Sequence, residues 1–273
     1  MIFQLDKIEK KSIKKESRNG FIFTYQDIDY YFKYLKKQEN YLNELIACEI
    51  AKRLNIHCCD YYLGIKSGMY ASVSKLFDTS TYQSMHEILF DYYQSSLVDK
   101  FNNFQDISHL FNDKYGLKVK NRLMNQLENI FLFDVLIANL DRHSNNYGLW
   151  KNNGVIEFAP LFDQENMLAN LSIYRGIYSI GIDEKDFLEH FYFLSKESSN
   201  LLEKFLLLER DNNIRKLETF LPQIERNQIE AIIEKIEEEI RLKIKEKNYI
   251  CNRFQKNKDN IEIVLEKVYK KTL

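Results

Sequence analysis

Asn139-Leu140-Asp141-Arg142-His143-Ser144-Asn145-Asn146-Tyr147, followed by Ala159-Pro160-Leu161-Phe162-Asp163, decides the reading of this 273-residue chain. The first run is dense in polar groups and comes straight after Val119 to Leu140, a stretch rich in Leu, Ile and Phe that reads as a long helix. Polar side chains after a buried helix form either a solvent loop or the mouth of a site. Two short β-prone runs, 147–150 and 155–158, lie between the two stretches, and Asn153-Gly154 at their joint is the dipeptide of a tight hairpin turn. Asp141 is thus expected to start a loop and Asn146 to lie at its far end, with the hairpin returning Asp163 beside Asn146.

Two carboxylates and an amide oxygen brought together suit a hard divalent cation such as Mg²⁺, which takes one or two carboxylates plus substrate phosphates. Asn146 and Asp163 are the expected metal ligands. Asp141 is placed to accept the proton of an attacking hydroxyl, or to orient that hydroxyl in line with a γ-phosphate. Phosphoryl transfer needs this division of labour, because positioning and charge neutralisation are its main tasks. Asp and Asn are also good turn formers, so one such residue means little. The order helix, loop, hairpin, acid is what favours a site.

Upstream, Met85 to Tyr93 and Gln105 to Phe111 read as helices. Before about Phe77 the character is different. Phe21 to Tyr25 and Asp29 to Tyr34 are aromatic, β-prone runs with a polar turn at Gln26-Asp27-Ile28. Arg18-Asn19-Gly20 offers a hairpin turn, Asn43 to Leu54 an amphipathic helix, and Tyr61 to Ile65 with Met69 to Ser74 a hairpin across Lys66-Ser67-Gly68. From Glu197 onward the pattern is helical, and the charged stretch from Gln228 to Lys247 reads as a solvated helix face. The expected class is α+β and bilobed: a small strand-rich lobe over 1–76 and a larger helical lobe over 77–273.

Lys and Arg total 39 against 40 Asp and Glu, a net charge of -1, which excludes affinity for nucleic acid resting on bulk positive charge. Hydrophobic residues make up 45%, enough for a large core, while 8 Gly and 2 Pro favour long helices over loops. No run reaches the roughly 18 apolar residues of a membrane span, and Met1-Ile2-Phe3-Gln4-Leu5-Asp6-Lys7 does not read as a signal peptide. The richest apolar window, Ile130 to Leu140, holds Asp134 and Asn139. Cysteines 48, 58, 59 and 251 lack metal or disulfide spacing and read as free thiols of a cytoplasmic protein.

Asp141-Arg142-His143-Ser144-Asn145-Asn146 with Leu161-Phe162-Asp163 resembles the catalytic loop and metal-binding acid of HipA-like serine/threonine kinases. The D-R-H-x-x-N form is also similar to that of phosphoinositide kinases and their protein-kinase relatives. The resemblance takes in Ile137-Ala138-Asn139 and Ala159-Pro160 as well. It implies a bilobed kinase fold, ATP and Mg²⁺ as cofactors, Asp141 as catalytic acid, His143 as a loop-organising residue, and Asn146 and Asp163 on the metal. A protein substrate with a Ser or Thr acceptor is implied, and, by analogy, a toxin role with an antitoxin partner. Neither direct nucleic-acid binding nor a membrane is expected. A phosphoinositide or small-molecule kinase and a pseudokinase binding module are the alternatives.

A kinase site also needs a cation for the nucleotide phosphates and an acid to hold it. Lys33, at the end of an aromatic strand, and Glu44, in Asn43-Glu44 at the start of the next helix, fill those places, with Glu49 the rival acid. Ser74 and Leu76 lie where a strand joining the lobes would offer its backbone to adenine. The stretch Ser12 to Gly20, where phosphates would be covered, has one glycine, unlike the glycine-rich loop many kinases use there. Its Ser12 and Ser17 are candidates for supplying hydroxyls or for autophosphorylation, which would set negative charge against the nucleotide. Gln164 to Gly181 is expected to be the activation segment.

Overall fold

In the computed structural model, residues 2–8, 13–17, 20–33, 40–96, 102–139, 142–165, 167, 210–240, 243–245 and 247–270 are described. Strands β1 (Ile2–Gln4), β2 (Ile13–Ser17), β3 (Gly20–Tyr25), β4 (Ile28–Lys33), β5 (Tyr61–Lys66) and β6 (Met69–Lys75) form one sheet in the order β1-β5-β6-β4-β3-β2. β1 runs parallel to β5, and the other neighbours are antiparallel. The turns are those the sequence calls for. Gln26 and Asp27 (φ 51° and 60°), and Ser67 and Gly68 (φ 49° and 76°), take the left-handed conformations that let two-residue hairpins follow the strand twist. Gly20, expected within a turn, is instead the first residue of β3 and pairs with Ser17. Its missing side chain matters for another reason, since a Cβ there would stand 2.0 Å from the Phe32 carbonyl oxygen.

Period-2 alternation sorts the sheet into two faces. Phe21, Phe23, Tyr30 and Phe32 share one face with Phe3, with Phe21 opposite Phe32 (ring centroids 4.6 Å apart) and Phe23 stacked on Tyr30 at 5.7 Å. Aromatic cross-strand pairs of this kind are worth up to about 1 kcal/mol each. Lys33, next to Phe32, projects to the opposite face. That face packs on helix α1 (Asn40–Arg53), whose Ile46, Ala47, Ile50 and Ala51 are fully buried.

Helices α2 (Met85–Tyr93) and α3 (Phe104–Leu136) follow, then strands β8 (Gly148–Asn152) and β9 (Val155–Phe158), which join β7 (Gln83–Ser84) in a small antiparallel sheet. Asn153 and Gly154 (φ 48° and 83°) turn the β8–β9 hairpin as the Asn-Gly signal requires. The two helices expected over 105–111 and 119–140 are one element with a break at Gly116 (φ 77°, ψ 165°), a conformation that glycine reaches at little cost. The chain ends in α4 (Arg210–Phe220), α5 (Arg226–Ile240) and α6 (Lys247–Lys270). α5 buries Ile229, Ile232, Ile233, Ile236 and Ile240 as one stripe and leaves its Glu and Lys residues on the other side, the solvated face expected. Among the described residues no helix is long and apolar enough to cross a membrane.

Candidate active site

Helix α3 stops four residues before the sequence pattern suggested, and its end shapes the loop that follows. Ala138 is left-handed (φ 48°), its N–H donates to the Val135 carbonyl at 3.2 Å, and the Asn139 N–H donates to the Asp134 carbonyl at 2.9 Å. This pair of bonds closes a helix with a Schellman motif, here with alanine in the place that glycine usually takes. Asn257 of α6 donates to the Val135 and Leu136 carbonyls at 3.0 and 2.8 Å, so the last turn is held from a second helix.

One buried ion pair organises what comes next. Asp134 is fully buried, and its carboxylate accepts from Arg142 Nε at 2.9 Å, from Arg142 Nη2 at 3.0 Å and from Asn139 Nδ2 at 2.9 Å. The other guanidinium nitrogen of Arg142 donates to the Asn146 carbonyl at 2.7 Å and the Phe162 carbonyl at 3.0 Å. Arg142 thereby ties the loop to the residue preceding Asp163. The loop also sits on the first turn of α2, where the Met85 and His86 N–H groups donate to the Tyr147 and Ser144 carbonyls, each at 2.9 Å. Asp141 lies outside the described residues, between Asn139 and Arg142, which Asp134 both holds.

The segment leading to Asp163 is anchored on the other side. The Leu161 N–H donates to the His57 carbonyl at 2.8 Å and its carbonyl accepts from the Cys59 N–H at 2.9 Å, a bridge to the stretch that leads into β5. Asp163 takes a left-handed φ of 62° and its N–H donates to the Tyr61 hydroxyl at 3.0 Å. Its carboxylate meets Lys33 Nζ at 2.5 Å, 130 residues away in sequence. Lys33 also lies 3.1 Å from Glu165 Oε2 and 3.7 Å from Glu44 Oε1. Asn43 Nδ2 donates to the Glu165 and Met167 carbonyls at 2.6 and 3.3 Å, so α1 supplies both Glu44 and the anchor of this segment.

Burial is the largest influence on the Lys33 ammonium and would lower its pKa; the charges of Glu44, Asp163 and Glu165 together outweigh it, and the pKa is raised. Burial likewise dominates at Glu44, pushing it up to about 7 against the opposing pull of Lys33 and a hydrogen bond with Ser72. Lys33 shares its charge among three carboxylates, which is why Glu44 gains less from it than an exclusive partner would. A carboxyl whose folded pKa lies above its unfolded value of about 4.5 keeps a proton that the unfolded chain has lost, so its contribution favours the fold at low pH and fades as pH rises to about 7. Between pH 5 and 7 the wild type should lose up to about 1.4 kcal/mol per pH unit relative to Glu44→Gln. Urea titrations of both proteins across that range check it, and parallel curves would refute it.

Apart from Asp141 and Ser12, the residues proposed from sequence lie among the described ones. Lys33, Glu44 and Asp163 meet. Asn146 is buried in the Arg142-bound loop, its carbonyl on the same nitrogen as that of Phe162. His143 is exposed and accepts the Asn145 N–H at 3.3 Å, while Arg142 holds the interior of the loop. Glu49 pairs with Lys235 of α5 at 2.5 Å and Lys52 at 3.2 Å. Ser74 lies in β6 between Tyr31 and Tyr61, and the Lys75 and Leu76 N–H groups already donate to the Asp60 and Asp29 carbonyls, each at 3.0 Å. Ser17 ends β2, while Ser12 and most of the expected activation segment lie outside the described residues. Four contributors escaped the sequence: Asp134, the organising role of Arg142, Tyr61 and Glu165. Asp134 had left a signal, as a charge within an apolar helix that needs a buried partner.

A family model described as HipA-like C-terminal domain matches residues 11–244. Among solved structures, the proinflammatory kinase CtkA of Helicobacter pylori is similar over 99% of this chain and 98% of its own, with a TM-score of 0.72 and 18% identity. A chain of the Shewanella oneidensis MR-1 toxin–antitoxin complex of HipA, HipB and operator DNA is similar over 95% of this chain and 64% of its own, with a TM-score of 0.55 and 14% identity. These likenesses establish the bilobed α+β fold. No curated protein sequence matches the chain.

Proposed function

The chain belongs to the HipA-like C-terminal domain family, and we propose that it is an ATP- and Mg²⁺-dependent kinase that phosphorylates Ser or Thr hydroxyls of a protein. The observation that carries the proposal is the meeting of Lys33, Glu44 and Asp163 from distant parts of the chain. Lys33 binds nucleotide phosphates and Glu44 steadies it, with 1–76 as the nucleotide-binding lobe and 77–273 as the catalytic lobe. Asn146 and Asp163 hold Mg²⁺. Their oxygen donors fit a hard cation, and the Asp163 side chain is 31% exposed. The ion would neutralise charge on the transferred phosphoryl group. Asp141 takes the proton of the acceptor hydroxyl, with His143 beside it in the same loop. Ser74 and Leu76 contact the base by way of their side chains or carbonyls, since neighbouring N–H groups are engaged.

Stabilisation by ligand tests the binding half. ATP with Mg²⁺ is expected to raise the Tm of the wild type by several degrees, and Asp163→Ala should lose the metal-dependent part. No shift in either would leave a pseudokinase binding module. Labelled ATP offered with protein, lipid and small-molecule acceptors separates the protein-kinase reading from the phosphoinositide one. A toxin role restrained by an antitoxin protein is part of the proposal and rests on the likeness to the HipA complex. Autophosphorylation at Ser12 or Ser17 is read directly from the intact mass of the purified chain. A cytoplasmic setting fits the four unpaired thiols at Cys48, Cys58, Cys59 and Cys251.

A further inference from the structure

Lys33 faces more negative charge than one ammonium balances. Asp163 and Glu165 both lie within bonding distance of its Nζ, at 2.5 and 3.1 Å, and Glu44 stands just beyond at 3.7 Å. Under the reading in which Lys33 takes nucleotide phosphates, a phosphate oxygen must find a place beside these carboxylates. Glu44 is 1% exposed and bonded to Ser72, so it stays. Asp163 has its own task at the metal. Glu165 is the remaining competitor, and Asn43 keeps it in place by bonding its carbonyl at 2.6 Å.

The segment carrying Glu165 is held by these outside contacts rather than by its own preferences. Asp163 is left-handed, and Gln164 is fully buried with neither amide atom bonded to a described residue. Backbone strain and an unsatisfied amide in adjacent residues persist where surrounding contacts impose them.

We propose that Glu165 is a built-in anionic competitor at Lys33, which disfavours bare nucleotides and admits a triphosphate that carries its own divalent cation. A cation held by Asp163 would offset the phosphate charge, and Lys33 would then be able to trade Glu165 for phosphate. Without a cation, the phosphates meet Asp163 and Glu165 beside one ammonium.

The test is the Kd of ATP, measured by calorimetry with Mg²⁺ and again with EDTA, for wild type, Glu165→Gln and Lys33→Ala. Glu165→Gln keeps the size of the side chain and removes its charge. It should tighten ATP in EDTA by roughly tenfold, with a smaller gain in Mg²⁺. No gain in EDTA, with Lys33→Ala still losing affinity, overturns the competitor role and leaves the kinase reading standing. No ATP binding by wild type or Glu165→Gln under either condition overturns the kinase reading and the competitor role with it.

Discussion

Asp141→Ala is expected to lower phosphoryl transfer by about a thousandfold or more, the upper range of what a positioned proton acceptor contributes. Nucleotide affinity should stay within about threefold of wild type, because the groups assigned to the nucleotide and its metal are Lys33, Ser74, Leu76, Asn146 and Asp163. A loss in kcat without a matching change in ATP affinity distinguishes a residue used in the transition state from one that binds the ground state. Its neighbours support the role: Asn139 and Arg142 on either side are buried and bonded to one carboxylate, that of Asp134. Turnover within tenfold of wild type would remove Asp141 from catalysis.

Asp134→Ala should be the most damaging change to the fold, by about 3–5 kcal/mol, since it strands the Arg142 guanidinium without an anion in the interior. Both members are almost fully buried, at 2% and 0% side-chain exposure, so water cannot replace the lost partner. Arg142→Ala costs the fold as well, by releasing the Asn146 and Phe162 carbonyls. Because the two share one network, Asp134→Ala with Arg142→Ala should cost clearly less than the two single changes together. Urea unfolding of the three variants measures this, and strict additivity would mean that the pair does not act as a unit. Activity is expected to fall in all three under the kinase reading, as the loop carrying Asn146 loses the ion pair that holds it.

Local signals were legible where local chemistry decides the outcome. Asn153-Gly154 marks its hairpin because the dipeptide accepts left-handed dihedrals cheaply, and α2 begins at Met85 behind a Ser84–Glu87 capping box. The end of α3 was read four residues late, since apolar periodicity continues through Ile137 and Ala138 while the Schellman bonds already turn the chain. Arg142 read as a loop residue because its partner Asp134 lies on the preceding helix, and nothing in the local spacing says that both point inward. Glu165 fell within the expected activation segment, with nothing in its neighbours to single it out. Its importance comes from Asn43 and Lys33, more than 120 residues away.

The sequence by itself determined the family and the order of most elements, and it named side chains whose chemistry suits a metal or a proton, because each of these is written in short-range pattern and residue type. Tertiary structure alone decided that Asp163 reaches Lys33 and that Glu165 shares it. Such meetings depend on how α1, the sheet and the Leu161 bridge close long stretches of chain on one another, and a charge placed by distant packing leaves no trace in the spacing of its own neighbours.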